Sequence, residues 1–256
     1  MKNFISCDKP KPSIRLWSVI LWLLIWQGLS VYIGEDILLV SPVSVVLRLS
    51  CLALTADFWL TALFSLSRIT AGFLLAVITG ILLASLAARF TRAREFLAPA
   101  ILLIKTTPVA SFIILLLIWV SSRNLSPVIS FLMVLPVIYT NVLEGVKSTD
   151  VKLLEMAKVF EVPKHRRVLY IYVSQVLPFF QSACVVSLGL CWKAGIAAEV
   201  IGIPKGSIGE KLYMAKIYFT TPDLFAWTLT VIILSLLFEK LFMFIIRVLI
   251  KRLERL

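Results

Sequence analysis

Six apolar stretches dominate this chain: 15–34, 68–88, 96–120, 126–145, 176–199 and 223–247. A helix needs about 20 apolar residues to cross the hydrocarbon core of a bilayer, and there each backbone N–H and C=O must be satisfied within the segment. Six such runs in 256 residues predict an all-α, polytopic membrane helix bundle of about six spans. Composition agrees, with 60% apolar residues, 16% charged residues and a mean hydropathy of +0.99. A soluble domain carries about a quarter charged residues. No internal repeat and no low-complexity tract divides the chain. Residues 1–256 are therefore expected to form a single transmembrane domain with no soluble domain attached. The first apolar run is longer than the roughly 7–15 residues of a signal-peptide core, and no A-x-A site follows it, so it reads as a retained span.

Basic residues set the expected orientation. Lys2, Lys9, Lys11 and Arg15 precede the first stretch, and Arg89, Arg92 and Arg94 separate the second and third. Lys147, Lys152, Lys158, Lys164, Arg166 and Arg167 separate the fourth and fifth, and Arg247, Lys251, Arg252 and Arg255 follow the sixth. These are 17 of the 26 Lys and Arg. The opposite side holds Arg48, Arg68, Arg123, Lys205, Lys211 and Lys216. The asymmetry predicts an even number of spans with both termini in the cytoplasm. The net charge of +12 is thus explained by membrane topology, and nucleic acid is not an expected partner. The cysteines Cys7, Cys51, Cys184 and Cys191 form no CxxC pair and have one histidine to join them, so no metal site is expected.

Residues 41–66 are apolar but contain Arg48 and Asp57. They are expected to form an amphipathic segment on the outer side, because a seventh span would invert all later loops. Small residues recur every four positions at Ala76, Gly80, Ala84 and Ala88, and again at Ala183, Ser187, Cys191 and Gly195, a stripe that ends at Glu199. Such stripes let helix backbones approach closely in lipid, either within the chain or at a central interface.

The loop between the fourth and fifth stretches, about 147–167, is unlike the rest. Ser148 or Asp150 is a candidate N-cap. Leu153, Leu154, Ala157 and Phe160 follow at helical spacing, with Met156 beside them, and Lys152, Glu155, Lys158 and Glu161 take much of the remaining surface. Pro163 ends or bends the helix. The expectation is a short amphipathic cytoplasmic helix, suited to the lipid surface or to a groove on a partner.

The run "LLEMAKVFEVPKHRRVLYIYVSQVLP", 153–178, resembles the cytoplasmic loop of ABC importer permeases, whose EAA helix is followed by a glycine and a downstream LP. Glu155, Met156 and Ala157 stand at the EAA positions, and Leu177 and Pro178 at the LP. "LAPAILLIKTTPVASFIILLLIWV" at 97–120, "WKAGIAAEVIG" at 192–202 and "GSIGEKLYMAKIYFTTPDLFAW" at 206–227 are similar to the nitrate/sulfonate/taurine branch of that family. Two positions depart from the pattern: Met156 replaces the first Ala, and Glu161 replaces the glycine. The resemblance implies that this is a coupling helix contacting a separate ATP-binding cassette ATPase through Leu153, Leu154, Glu155, Met156, Ala157, Phe160 and Glu161. It also implies a permease dimer with the pathway at its interface and an extracytoplasmic substrate-binding protein as partner. The solute would be a sulfonate, taurine, nitrate or a vitamin precursor. The chain itself has no G-x-x-x-x-G-K-[ST], so ATP and Mg would be held by the partner.

Charged and polar residues within spans mark candidate pathway positions. Lys193 and Glu199 fall late in the fifth stretch, and Lys105, Thr106 and Thr107 stand beside Pro108 in the third. A proline interrupts the helical hydrogen bonds, and threonine hydroxyls can partly repair the break. Two other readings compete with the importer subunit. A self-contained secondary transporter would ordinarily show inverted repeats and more spans. A scaffold would not need charges in its spans. No Ser-His-Asp or HExxH set is available for hydrolysis by the chain itself.

Overall fold

The computed structural model describes residues 16–35 and 37–253, without the side chains of Leu169 and of residues 249–253. Lys2, Lys9, Lys11, Arg15, Cys7 and Arg255 lie outside the described residues. The described residues form helices and no strand: α1 Leu16–Ile33, α2 Pro42–Ala53, α3 Ala56–Arg89, α4 Thr91–Thr106, α5 Val109–Leu116, α6 Ser122–Lys147, α7 Val151–Val159, α8 Lys164–Arg167, α9 Val173–Gly202, α10 Ile208–Ile217 and α11 Thr221–Leu253. A π-helical turn, Val168–Tyr172, joins α8 to α9. Five helical segments are long and apolar enough to span, and α4 with α5 makes a sixth as a pair bent by 104°.

The centre is a layer of α3, α6 and α9, with α6 in the middle. The small-residue stripes make this packing possible. A Cβ on Gly80 would lie 2.9 Å from Ile138, and one on Gly195 would lie 2.7 Å from Ser130 Oγ and 2.8 Å from Ile69. Ala76, Ala84, Ala183, Ser187 and Cys191 are all buried at these contacts, whereas Ala88 is exposed. The stripes are therefore the internal seam of the bundle. Helix α11 closes one side with an aromatic cluster: Phe73 meets Phe242 edge-on at 4.9 Å, and Phe58 meets Trp227 at 5.1 Å. Helix α1 is peripheral. Ser30 is its only buried residue, and it is tied to the following loop by Trp26 Nε1 donating to Val40 O and Ser30 Oγ donating to Leu39 O.

The structure divides the stretch 41–66. Ser41 caps α2, Thr55 caps α3, and residues 56–66 belong to the long second span rather than to a separate outer segment. At 34 residues, α3 is about 51 Å long at 1.5 Å per residue, well beyond a roughly 30 Å hydrocarbon core. Its first turns can thus carry Asp57 outside the apolar region. Arg48, in α2, pairs with Asp223 at the start of α11.

The third stretch, 96–120, is not a straight helix. Pro108 has no N–H to continue the ladder, and the chain turns between α4 and α5. Thr106 Oγ1 donates to Leu102 O and Thr107 Oγ1 to Leu103 O, so both hydroxyls are used on the broken end of α4. Ile113 of α5 anchors the second limb against Leu125, Ile129, Ala194 and Ala198.

Candidate functional site

Two short helices lie at opposite ends of the bundle, α7 beyond the C-terminal end of α6 and α10 beyond the C-terminal end of α9. Helix α7 is built by its own ends. Asp150 accepts a hydrogen bond from Lys152 N at 2.9 Å, which settles the choice of N-cap in its favour over Ser148. At the other end Val162 N donates to Ala157 O and Glu161 N to Lys158 O, with Glu161 at φ 50°. This is the Schellman arrangement that usually places glycine in the left-handed position. Glutamate adopts it here, and Pro163 prevents the helix from continuing.

The covered face of α7 is formed by Ala157, buried, and by Leu153 and Leu154, half-buried. The exposed face carries Val151, Met156, Val159 and Phe160, at 64, 51, 79 and 75% exposure, with Lys152 and Glu155 among them. Of the apolar residues singled out by helical spacing, Leu153, Leu154 and Ala157 thus turn toward the body of the protein, and Phe160 turns away. Val151 and Val159 complete the outward face. Met156 fills an outward position where its size meets no obstacle, while alanine is kept at the buried position 157. Glu155 and Glu161 are exposed.

Within the bundle, Lys105 is exposed and its Nζ lies 3.5 Å from Thr140 Oγ1, two turns in from the C-terminal end of α6. The bend at Pro108 therefore occurs well inside the length of the bundle. Lys193 is exposed on the face of α9 that also carries Val186, Gly189 and Leu190, opposite the buried stripe. Glu199 is fully buried. Its Oε2 accepts from Ser65 Oγ at 2.7 Å and from Gly209 N at 3.3 Å, and Ser65 Oγ accepts from Ile208 N at 2.9 Å. Glu199 Oε1 and Ser126 Oγ are both buried without a hydrogen-bond partner among the described residues. Glu199 is thus a junction of α3, α9 and α10, and the structure does not bring it together with Lys193 or Lys105. Gly209 is required there, because a Cβ at that position would run into the Glu199 backbone.

Five or six apolar spans around a tight three-helix seam, a span broken by proline within the bundle, and a short capped helix presented at one end describe a polytopic helical membrane protein. Residues 76–255 match the family described as binding-protein-dependent transport system inner membrane component, and the chain belongs to that family. It is 27% identical over 219 residues to a protein assigned as an aliphatic sulfonates transport permease of Bacillus subtilis, covering 85% of this chain and 76% of that one. It is 27% identical to a nitrate import permease of Synechococcus elongatus, covering 76% of this chain and 73% of that one. It is 23% identical to a taurine transport system permease of Escherichia coli, covering 84% and 80%. The chain is therefore an ABC importer permease, a multi-pass protein of the inner membrane. The self-contained transporter and scaffold readings are set aside by this membership.

Proposed function

We propose that this chain is one half of a two-fold permease that carries a small solute inward. In this reading α7 is gripped by a separate ATP-binding cassette subunit that hydrolyses ATP. The α7 end and both termini face the cytoplasm, and the α10 end faces the protein that delivers the solute. The solute belongs to the range named for these relatives: sulfonates, nitrate and taurine. The observation that carries the proposal is the outward face of α7. Four apolar side chains, Val151, Met156, Val159 and Phe160, stand in the open on a helix whose single buried residue is Ala157. An apolar helix face of this kind fits a groove on a partner. The charge asymmetry between the two ends supports the orientation.

The exposed faces of Lys193 on α9 and Lys105 at the bend are proposed to border the pathway between two copies of the chain. Glu199 is proposed to act as the fixed support beneath it. The test of the coupling role is co-purification from native membranes of the tagged wild type beside the double substitution Met156→Asp, Phe160→Asp, which leaves Asp150, Ala157 and the Schellman turn in place. A P-loop ATPase recovered with the wild type and lost from the variant is the expected result. Equal recovery with both would remove α7 from the coupling interface. Lys193→Ala is expected to lower uptake while complex assembly is retained, and unchanged uptake would take Lys193 out of the pathway.

A further inference from the structure

At the α10 end, the start of α6 and the loop after α9 enclose an open basin of about 570 Å³ lined by Phe64, Ser121, Ser122, Arg123, Ile203, Pro204 and Lys205. Arg123 and Lys205 are exposed, and neither makes an ion pair or hydrogen bond among the described residues. A third cation, Arg68, reaches the same region. Its guanidinium lies over the Phe64 ring at 4.9 Å and donates through Nη2 to Asn124 Oδ1 at 3.0 Å, while its Nε is buried without a partner. Glu199 is sealed beneath, with one carboxylate oxygen committed to Ser65 and Gly209. One guanidinium and one ammonium therefore line a concave surface that has no acidic residue in its lining, and a second guanidinium lies behind Phe64. Like charges drawn together cost free energy unless an anion joins them. The backbone is also constrained here: Ile203 adopts φ 48°, a left-handed conformation that a β-branched residue rarely accepts, and Pro204 follows it. That turn carries Lys205 to the rim.

We infer that this basin is a binding site for an oxyanion group, held by Arg123 and Lys205 at the rim and the hydroxyls of Ser121 and Ser122, with Arg68 behind Phe64. A sulfonate, carboxylate or nitrate suits it, because a guanidinium presents paired N–H donors to two oxygens of one group. The volume leaves room for a small solute and its water. Convergent positive charge at a concave surface also raises the local concentration of anions. The role of the basin as a waiting position for solute rests on the permease reading; the binding itself does not.

The test uses the full-length chain in phosphatidylcholine nanodiscs, titrated calorimetrically with methanesulfonate and with dimethyl sulfone, a neutral molecule of similar shape. The wild type is expected to bind methanesulfonate, the sulfone to give no binding heat, and the double substitution Arg123→Gln, Lys205→Gln to weaken methanesulfonate at least tenfold, or about 1.4 kcal/mol. Equal affinity in wild type and variant, equal binding of the sulfone, or no binding of methanesulfonate to the wild type would overturn the site. Repeating the titration in phosphatidylglycerol nanodiscs identifies the source of the anion. An unchanged affinity assigns the site to a free solute, and a tenfold loss assigns it to a lipid phosphate that competes for the same cations; both keep the oxyanion site. Both side chains are exposed, so the variant is expected to fold, and recovery of the ATPase partner with it checks this. If the ATPase accompanies wild type and variant alike, a negative titration counts against the basin alone. If no ATPase accompanies the wild type, the permease reading fails whatever the titration gives.

Discussion

Helices α7 and α10 are local twins with opposite attachments. Each begins with a side-chain cap, Asp150 for α7 and Ser207 for α10. Each is followed by a non-glycine residue in the left-handed region, Glu161 at φ 50° and Phe219 at φ 54°, closed by a bond from the next N–H back to the last turn. Their tertiary ties differ. The first turn of α10 is wired into the bundle through Ile208 N to Ser65, Gly209 N to Glu199 and Lys211 to Asp57. Helix α7 has one buried side chain, Ala157, and leaves its other face open. Capping decides that a short segment is helical. Buried polar ties decide whether that helix is part of the frame or is offered to something else.

Substitutions sharpen the contrast. The largest effect is expected from Gly209→Val, which drives a β-branched side chain into the Glu199 backbone; overpacking of this kind costs about 3 kcal/mol. The unfolding midpoint in detergent should fall clearly, and an unchanged midpoint would mean that the junction is loose. Next comes Glu199→Ala, which leaves the Ser65 hydroxyl and Gly209 N–H short of an acceptor at a cost of about 2 kcal/mol. The matching change in α7, Glu155→Ala, is expected to shift stability by no more than about 0.5 kcal/mol, since Glu155 is exposed. Similar losses for the two glutamates would break the comparison. Glu161→Gly should slow amide hydrogen exchange in α7, because relieving a left-handed L-residue returns about 1 kcal/mol; faster exchange would show that the turn is not held in this geometry. Smallest is Asp57→Asn. It removes an ion pair whose acid is 69% exposed, for about 0.5 kcal/mol or less after solvent screening, measured as a small fall in midpoint that vanishes in high salt.

The spans were legible because an apolar run of about 20 residues has few alternatives in a membrane protein. The third span and the stretch 41–66 were read less well, for the same reason: hydropathy averages over breaks. Pro108 announced the first break, and Ser41-Pro42 and Thr55 announced the other two, as cap residues within apolar sequence. Periodicity found a helix at 151–160 but not its covered face, since Val151 and Val159 are as apolar as Leu153 and Leu154. Packing distinguishes the two sides, burying Ala157 and half-burying Leu153 and Leu154. The depth of Glu199 near the end of its span was evident from position, whereas its partners Ser65 and Gly209 come from two other helices. The rim cations Arg123 and Lys205 counted in the sequence merely toward a charge tally. Their proximity to Arg68 depends on how α3, α6 and α9 end together.

The bend between α4 and α5 carries an obligation for the assembled protein. Pro108 offers no hydrogen to the Ile104 carbonyl, and the two threonine hydroxyls are already engaged with Leu102 and Leu103. A carbonyl that lacks its helical donor in an oily environment is met by a neighbouring helix, a side-chain donor, an ordered water or a local change of helical type. The backbone beside Lys105 and Thr107 is therefore where this span most needs a polar neighbour.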